Sequence, residues 1–236
     1  MELSKRLMAV AGLVKKGDRP ADIGCDHGYI SIYLIKEKVC SSMIAMDINK
    51  GPLLRAKENV EREGLSPYIE TRLSDGANAL LEGEADTLIL AGMGGKLTIH
   101  IVEEALKRLT CIRNLILQPQ SEIWLVRQFL IEQKFFIVKE EMVYEDGKYY
   151  PMMRAQLKKD SSTMTYSKEE ACYGPLLLKS KHPVLYDYLQ WEKQTITETI
   201  KKLGDLGEDE KALRRRERKK ELADKLQCIE TCLTMF

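Results

Sequence analysis

Residues 21–28 read ADIGCDHG, and residues 42–47 read SMIAMD. Each segment starts as a short apolar strand. The first passes through Gly24 into a helix, whereas the second ends in an acid, Asp47. A glycine at such a turn lets the backbone approach a ligand closely, and the acid, at roughly the expected 20-residue spacing, accepts hydrogen bonds from a ribose. The pattern predicts the first half of a nucleotide-cofactor fold.

The turn differs from a dinucleotide-binding turn at one position, because Asp26 stands where the second glycine belongs. A carboxylate there repels a pyrophosphate and attracts a cation. S-adenosylmethionine carries a sulfonium and an ammonium group and no phosphate. The sequence therefore favours S-adenosylmethionine as cofactor and methyl transfer as the reaction. A nicotinamide-dependent oxidoreductase and a non-catalytic RNA-binding protein with a vestigial cofactor pocket remain the alternatives.

Composition places the chain among ordinary globular proteins. Its 236 residues are 44% hydrophobic and 31% charged, enough to bury a core. Apolar runs stay shorter than a membrane span, and the N-terminus lacks a secretory signal. Six scattered cysteines suit reduced thiols, and Cys228 and Cys232, one helical turn apart, are expected to pack in a core rather than bind zinc. We expect a cytoplasmic protein with no membrane or metal partner.

Strands and helices alternate up to residue 157, which predicts a doubly wound α/β domain. Expected strands cover residues 20–24, 43–48, 69–73, 87–90 and 115–117, and expected helices cover 3–14, 28–37, 52–63, 96–109 and 122–133. An Asp-Gly pair at residues 146–147 indicates a hairpin between 135–144 and 149–157. A parallel sheet that ends in an antiparallel hairpin is typical of class I (Rossmann-like) methyltransferases.

The C-terminal third has a different pattern. Residues 158–170 are polar and are expected to form a linker, which sets domain boundaries of 1–160 and 161–236. Beyond it, apolar residues recur at helical spacing on both sides of a Gly-containing turn at 204–207. These apolar residues are Leu185, Leu189, Ile196, Ile200, Leu203, Leu222, Leu226, Ile229 and Leu233. Two helices folded back as an antiparallel coiled coil are the simplest arrangement.

Several motifs together resemble the bacterial TrmK family, which methylates N(1) of adenine-22 in tRNA. They are SKRL at residues 4–7, DxGxDHxY at 22–29, GP at 51–52, AGMGG at 91–95, LQP at 117–119, YGPL at 173–176 and PV at 183–184. The resemblance spans nearly the whole chain. It implies a class I methyltransferase domain, S-adenosylmethionine as cofactor, and a C-terminal coiled-coil domain used in tRNA binding. Gly28 departs from the alanine of many relatives, and residues 46–48 vary among them, which leaves details of the pocket open.

The expected cofactor contacts lie at the ends of the first four strands. They are Asp22, Gly24, Cys25, Gly28, Asp47, Ile48, Asp75, Gly76, Gly92 and Met93. Adenine N(1) has a free lone pair, so positioning is the main catalytic task, and a carboxylate can stabilise the cationic product. Asp26, with His27 as its partner or as a base contact, is the catalytic candidate.

Each of these assignments has a structural alternative. Asp26 is otherwise an N-cap for the next helix, and His27 a structural hydrogen-bonding residue. Asp47 is otherwise a cap for the helix after it, Asp75 a plain turn acid, and Met93 a core residue.

Basic residues suggest where RNA binds. Residues 211–220 contain seven lysines and arginines against one acid, a local excess that suits a polyanion. The candidate RNA contacts are Lys5, Arg6, Lys96, Arg214, Arg215, Arg216, Arg218 and Lys219, with plain solvated charge as the alternative. Because N(1) lies on the pairing edge, the target adenine must be unpaired or extruded. The apolar stripes can pair within one chain or between two, so we expect a monomer or a weak homodimer.

Overall fold

The computed structural model describes residues 3–158, 165–203 and 210–236, except for the side chains of residues 210–214. The chain divides into two compact units, Met1–Thr165 and Tyr166–Phe236. The sequence placed this boundary after residue 160.

In the first unit, strands and helices alternate. The strands are β1 (Pro20–Ile23), β2 (Met43–Asp47), β3 (Ile69–Leu73), β4 (Thr87–Met93), β5 (Asn114–Pro119), β6 (Phe135–Glu145) and β7 (Lys148–Leu157). The helices are α1 (Lys5–Ala11), α2 (Tyr29–Lys36), α3 (Lys50–Arg62), α4 (Gly95–Arg108) and α5 (Ile123–Glu132).

The seven strands form one mixed sheet in the order β3-β2-β1-β4-β5-β7-β6. Strands β1 to β5 are parallel, and β7 is antiparallel to both β5 and β6. The chain leaves β1 toward β2 and β3 and later returns to its other side with β4. A strand order that reverses in this way opens a crevice at the carboxyl ends of β1 and β4, where ligands of such sheets bind. The predicted parallel sheet that ends in an antiparallel hairpin is confirmed.

The central strands of the sheet lie in the hydrophobic core. All four residues of β1 and all six of β5 are buried. At the opposite edge from the crevice, the buried Arg154 guanidinium donates to Asp18 Oδ1 and Asn114 Oδ1, at 3.1 and 2.8 Å, and to the carbonyl oxygen of Leu13 at 3.0 Å. A buried arginine with several acceptors is a stable arrangement. These bonds fix the segment after α1 to β5 and β7.

Three segment boundaries differ from the sequence predictions by more than two residues. Helix α1 covers residues 5–11 rather than 3–14, because it starts from a Ser4 cap and ends in a tight turn where Leu13 N donates to Val10 O. Strand β4 continues to Met93 through the predicted turn, with an irregular register between Ala91 and Met93. The expected linker ends early, since Ser167 starts a helix through a reciprocal capping box with Glu170.

In the second unit, the structure describes four helices within residues 166–203 and 210–236. They are α6 (Lys168–Tyr173), α7 (Pro175–Lys179), α8 (Pro183–Lys202) and α9 (Glu210–Leu233). Helix α8 packs against α9, with Leu189 and Ile196 of one and Leu222 and Ile229 of the other buried. Cys228 and Cys232 are buried too, and burial raises the thiol pKa to about 11 and about 12, respectively. The predicted turn at 204–207 lies outside the described residues.

Candidate functional site

The loop after β1 has an unusual backbone. Gly24, Asp26 and Gly28 have φ angles of +74°, +47° and +71°, in the left-handed region that favours glycine. The N–H groups of Gly24 and Cys25 both donate to Met46 O of β2, at 2.8 and 2.9 Å. A Cβ on Gly24 would clash with Met93 Cε. The loop is therefore held against β2 on one side and closely covered by β4 on the other.

The Asp47 carboxylate joins the β1 loop to the start of α3. Its Oδ2 accepts from Asp26 N at 3.4 Å and its Oδ1 from Asn49 N at 2.8 Å. The N-cap of α3 is Asn49, and the N-cap of α2 is Gly28, which has no side-chain capping bond. The alternatives in which Asp47 and Asp26 cap these helices are therefore wrong. The backbone leaves the Asp26 side chain 64% exposed at the crevice.

His27 and Arg55 lie beside the Asp26 carboxylate. His27 Nε2 is 3.6 Å and Arg55 Nη2 3.5 Å from Asp26 Oδ1. The imidazole stacks on the Tyr29 ring, with centroids 5.0 Å apart and planes 10° apart. The carbonyl oxygen of His27 accepts from Asn59 Nδ2 at 2.9 Å. These contacts fix the loop and keep the imidazole near Asp26.

A second acid, Asp22, is buried at the end of β1. Its Oδ2 accepts from Ser31 Oγ at 3.0 Å. Burial, together with the negative charge of Asp47 and against the Ser31 bond, raises the pKa of Asp22 to about 7. Burial also raises the pKa of the neighbouring Cys25 thiol, mainly by desolvation. A buried acid with a strongly raised pKa beside a ligand crevice is a candidate functional residue.

The ends of β2 and β3 lie side by side, because Ser74 N donates to Asp47 O at 2.9 Å. Ile48, directly after β2, is 58% exposed, which is unusual for a large apolar residue next to the core. Asp75 is also exposed. Gly76 has φ +53°, and a Cβ at this position would lie only 3.1 Å from Ile101 Cγ1. The structure thus places the predicted acids after β1, β2 and β3 along one edge of the sheet.

A different group of residues lines the crevice at β4 and β5. Arg6 Nη1 donates to Gln118 Oε1 at 2.9 Å, and Arg6 Cζ lies 5.6 Å from the Tyr150 ring centroid. A Cβ on Gly92, which has φ +86°, would be 3.5 Å from Arg6 Nη1. Gln118 Nε2 is buried and has no hydrogen-bond partner among the described residues. Arg6 is thus fixed beside the end of β4 rather than solvated.

Three further residues at the site, Gln118, Tyr150 and Arg55, were not predicted from the sequence. Gln118 had a signal, since it is a polar residue at the end of the apolar run of β5. Such a buried amide needs a partner, and Arg6 supplies one. Tyr150 and Arg55 gave no local signal, because each approaches its partner only through the tertiary fold.

The predicted RNA contacts separate into two groups, one in each unit. Lys5 and Arg6 donate backbone N–H groups to Glu145, at 2.6 and 3.2 Å, and Lys96 is exposed on the first turn of α4. In the second unit Arg215, Arg216 and Arg218 are exposed and Lys219 is half-buried, whereas the side chain of Arg214 lies outside the described residues. Arg218 pairs with Glu221 at 2.9 Å.

Residues 3–158, 165–203 and 210–236 contain no group of three or more His, Cys, Asp or Glu residues placed to hold a metal ion. None of the helices described there combines the length and apolarity that crossing a membrane requires.

Comparisons with known proteins agree with this geometry. A family model described as a methyltransferase domain matches residues 3–153. The curated tRNA (adenine(22)-N(1))-methyltransferase of Bacillus subtilis (strain 168) is 35% identical, over 97% of this chain and 96% of that protein. The crystal structure of the B. subtilis M1A22 tRNA methyltransferase TrmK has a TM-score of 0.85 at 32% identity, covering 98% and 99% of the chains. Streptococcus pneumoniae Sp1610 in complex with S-adenosyl-L-methionine gives 0.85 at 33%, covering 98% and 100%.

The strand order, the glycine turn and the acids along the β1–β3 edge define a class I methyltransferase, and the family model agrees. Within that class, the chain belongs to the family of tRNA (adenine(22)-N(1))-methyltransferases. The family predicted from the sequence motifs is confirmed.

Proposed function

We propose that this protein transfers a methyl group from S-adenosylmethionine to N(1) of adenine-22 in tRNA. The observation that carries the proposal is the loop after β1, where a glycine at φ +74° adjoins three acids, Asp22, Asp26 and Asp47. Such a loop repels a diphosphate and suits a ligand with a sulfonium and an ammonium group. Tertiary structure and full-length similarity to an adenine-22 methyltransferase support the substrate.

The residues along the β1–β3 edge fit S-adenosylmethionine by their chemistry. Asp47 would accept hydrogen bonds from the ribose hydroxyls, and exposed Ile48 would pack on the adenine ring. Asp75 and Gly76 would contact the adenine, and the Asp22 carboxylate would balance the ammonium group. Gly24, Cys25 and Gly28 give the backbone its close approach, and Gly92 and Met93 close the site from β4.

S-adenosylmethionine, when bound, supplies an electrophilic methyl group on a positively charged sulfur. The chain's task is then to orient the adenine so that N(1) lies in line with that methyl group. Asp26 stabilises the positive charge that develops on the alkylated adenine or accepts a proton from its amine, and His27 holds this carboxylate or contacts the base. Lys5, Arg6 and Lys96 contact RNA beside the site.

We further propose that α8 and α9 form an antiparallel coiled coil and that residues 161–236 are the tRNA-binding domain. Support comes from the buried stripe on both helices and from the basic run on α9. The arginines at 214, 215, 216 and 218, with Lys219, contact phosphates there. Free thiols at all six cysteines suit a cytoplasmic enzyme, which we expect to act as a monomer or weak homodimer.

The alternatives make different predictions for binding. A nicotinamide-dependent oxidoreductase would be stabilised by NAD, and a non-catalytic RNA-binding protein would leave tRNA unmodified. Methyltransferase-family membership and the acids at the loop disfavour the first. The exposed Asp26 carboxylate with His27 beside it disfavours the second, because a vestigial pocket has no need of these catalytic candidates.

Two measurements test the proposal. S-adenosylhomocysteine is expected to raise the melting temperature while NAD leaves it unchanged, since a ligand stabilises only the state that binds it. Nucleoside mass spectrometry of unmodified tRNA after incubation with S-adenosylmethionine is expected to reveal 1-methyladenosine. The same tRNA with guanine at position 22 is the control. Stabilisation by NAD alone, or equal methylation of both tRNAs, contradicts the proposal.

A further inference from the structure

A tryptophan of the second unit projects from α8 beside its junction with α9. Trp191 is 53% exposed, although tryptophan has the largest apolar surface of any side chain. It lines a groove of about 340 Å³ together with Thr195, Thr199, Arg218 and Lys225. An exposed indole next to cations differs from the buried stripe that holds the two helices together.

A buried acid beneath this surface fixes its components. Glu192 is only 6% exposed and accepts three hydrogen bonds from side chains. They come from Tyr173 Oη at 2.7 Å, Tyr188 Oη at 2.8 Å and Lys225 Nζ at 2.6 Å. The Tyr188 ring in turn stacks on Trp191, with centroids 5.8 Å apart and planes 29° apart. The Trp191 indole therefore packs on a Tyr188 ring whose orientation is fixed by its hydrogen bond to Glu192. Because the indole is already positioned, less entropy is lost when it binds a ligand.

The surrounding surface carries positive charge. Residues 215–225 of α9 contain six lysines and arginines against three acids. Within the groove, Arg218 pairs with Glu221 at 2.9 Å and Lys225 with Glu192 at 2.6 Å. The excess of positive charge at this surface therefore comes from the neighbouring turn of α9, where Arg215, Arg216 and Lys220 are exposed.

We propose that this surface, defined by Trp191, Arg218 and Lys225 and called here the tryptophan face, binds an unpaired nucleotide of tRNA by stacking its base on Trp191. An indole beside a basic turn of helix is the combination that single-stranded nucleic acids recognise, because every base has a π-face and every nucleotide a phosphate. The excess of positive charge favours RNA over a second copy of the chain, whose own face has the same sign. The inference rests on the proposed function and names the surface of the second unit that contacts the substrate.

Fluorescence gives a direct test, because the chain has two tryptophans, Trp124 and Trp191. In the full-length Trp124→Phe variant, Trp191 is the remaining indole. Titration with unmodified tRNA is expected to quench its emission saturably, at the same concentration that half-saturates methylation. The wild type and this variant are assayed for 1-methyladenosine on the same preparations. Absence of product in the wild type refutes the proposed function, whereas product formation without quenching refutes the tryptophan face alone.

Substitution separates stacking from charge. Trp191→Ala is expected to raise the Kd for tRNA by roughly 5- to 100-fold, the range that loss of one base stack gives, while kcat at saturating tRNA stays unchanged. Trp191→Phe restores most of the affinity because it retains a ring. The salt dependence of binding stays the same in Trp191→Ala and becomes shallower in Arg215→Ala, since only the second variant loses an exposed cation that contacts phosphate.

Tyr186→Ala is the matched control, because Tyr186 is an aromatic residue of the same helix with 41% exposure outside this groove. Its tRNA affinity is expected to equal that of the wild type. Wild-type affinity in Trp191→Ala overturns the proposal. So does a dimer-to-monomer change in light scattering with unchanged tRNA affinity, which would make the tryptophan face a contact between copies.

Discussion

The two halves of the crevice are built in different ways. At the β1–β2 edge, the contact between Asp26 N and Asp47 joins residues 21 positions apart, and backbone conformation sets the geometry. At the β4–β5 edge, the bond from Arg6 to Gln118 joins residues 112 positions apart, and side chains set the geometry. The proposed cofactor side is thus specified over short sequence distances and the proposed substrate side by the tertiary fold. Substitutions on the first side should affect cofactor binding or chemistry, and those on the second should affect the use of tRNA.

The largest effect is expected at Asp26. Asp26→Asn keeps a side chain that tolerates φ +47° but removes the charge. Turnover is expected to fall by about 100- to 10,000-fold, the range for a group that assists proton transfer or stabilises charge. Stabilisation by S-adenosylhomocysteine is expected to persist, because the loop backbone is unchanged. Methylation rates measure turnover, and thermal shifts measure the binding of S-adenosylhomocysteine. A wild-type rate in this variant would show that Asp26 has no role in the chemistry.

A large loss of cofactor affinity is expected in Gly24→Ala. An alanine at φ +74° costs about 1–2 kcal/mol, and its Cβ meets Met93 Cε. The dissociation constant of S-adenosylhomocysteine, measured by calorimetry, is expected to rise at least about tenfold. The reason is that a glycine at this position lets the loop backbone come close to the ligand, and a Cβ prevents this. Gly64→Ala is the control, because φ is +69° there with no atom within 4 Å of the new Cβ. The Gly64→Ala variant should lose stability but keep its affinity for S-adenosylhomocysteine. An equal loss of that affinity in both variants would contradict a role for Gly24 in binding.

On the substrate side, Arg6→Ala and Gln118→Leu are each expected to lower kcat/KM for tRNA by about tenfold. The double variant should be hardly worse than either, because both substitutions remove the same bond, and residues in contact couple by about 0.5–3 kcal/mol. The thermal shift from S-adenosylhomocysteine should remain that of the wild type. Additive losses, or a lost thermal shift, would show that the pair does not act as a unit on the tRNA side.

The smallest effect concerns pH. Because burial raises the pKa of Asp22 from 3.8 to about 7, the folded state keeps a proton that the unfolded state loses. This contribution to stability is complete below pH 3.8 and is lost as pH rises to about 7. Between pH 5 and pH 8, the melting temperature of the Asp22→Asn variant should therefore drop by a few degrees less than that of the wild type. Asp75→Asn, at an exposed acid, should show the drop of the wild type, and identical drops in all three proteins would contradict the raised pKa.

The difference between contacts over short and long sequence distances also explains which features could be predicted from the sequence. The strands, the Gly24 turn and the acids at 26 and 47 were predictable, because short-range spacing and backbone requirements determine them. The continuation of β4 to Met93 was missed because the residues AGMGG suggest a turn, whereas pairing with β5 extends the strand. The partners of Arg6 were missed for a related reason. No local pattern predicts that a residue of the first helix reaches Gln118 and Tyr150.

The bonds from Lys5 and Arg6 to Glu145 have a consequence for biosynthesis. A nascent chain that has emerged from the ribosome through residue 119 already contains all five parallel strands and the acids beside them. It still lacks Glu145 and Tyr150, so its first helix has no anchor and the guanidinium of Arg6 no ring to lie on. During translation, the parts of the crevice that hold Arg6 are therefore completed only when β6 and β7 have been made.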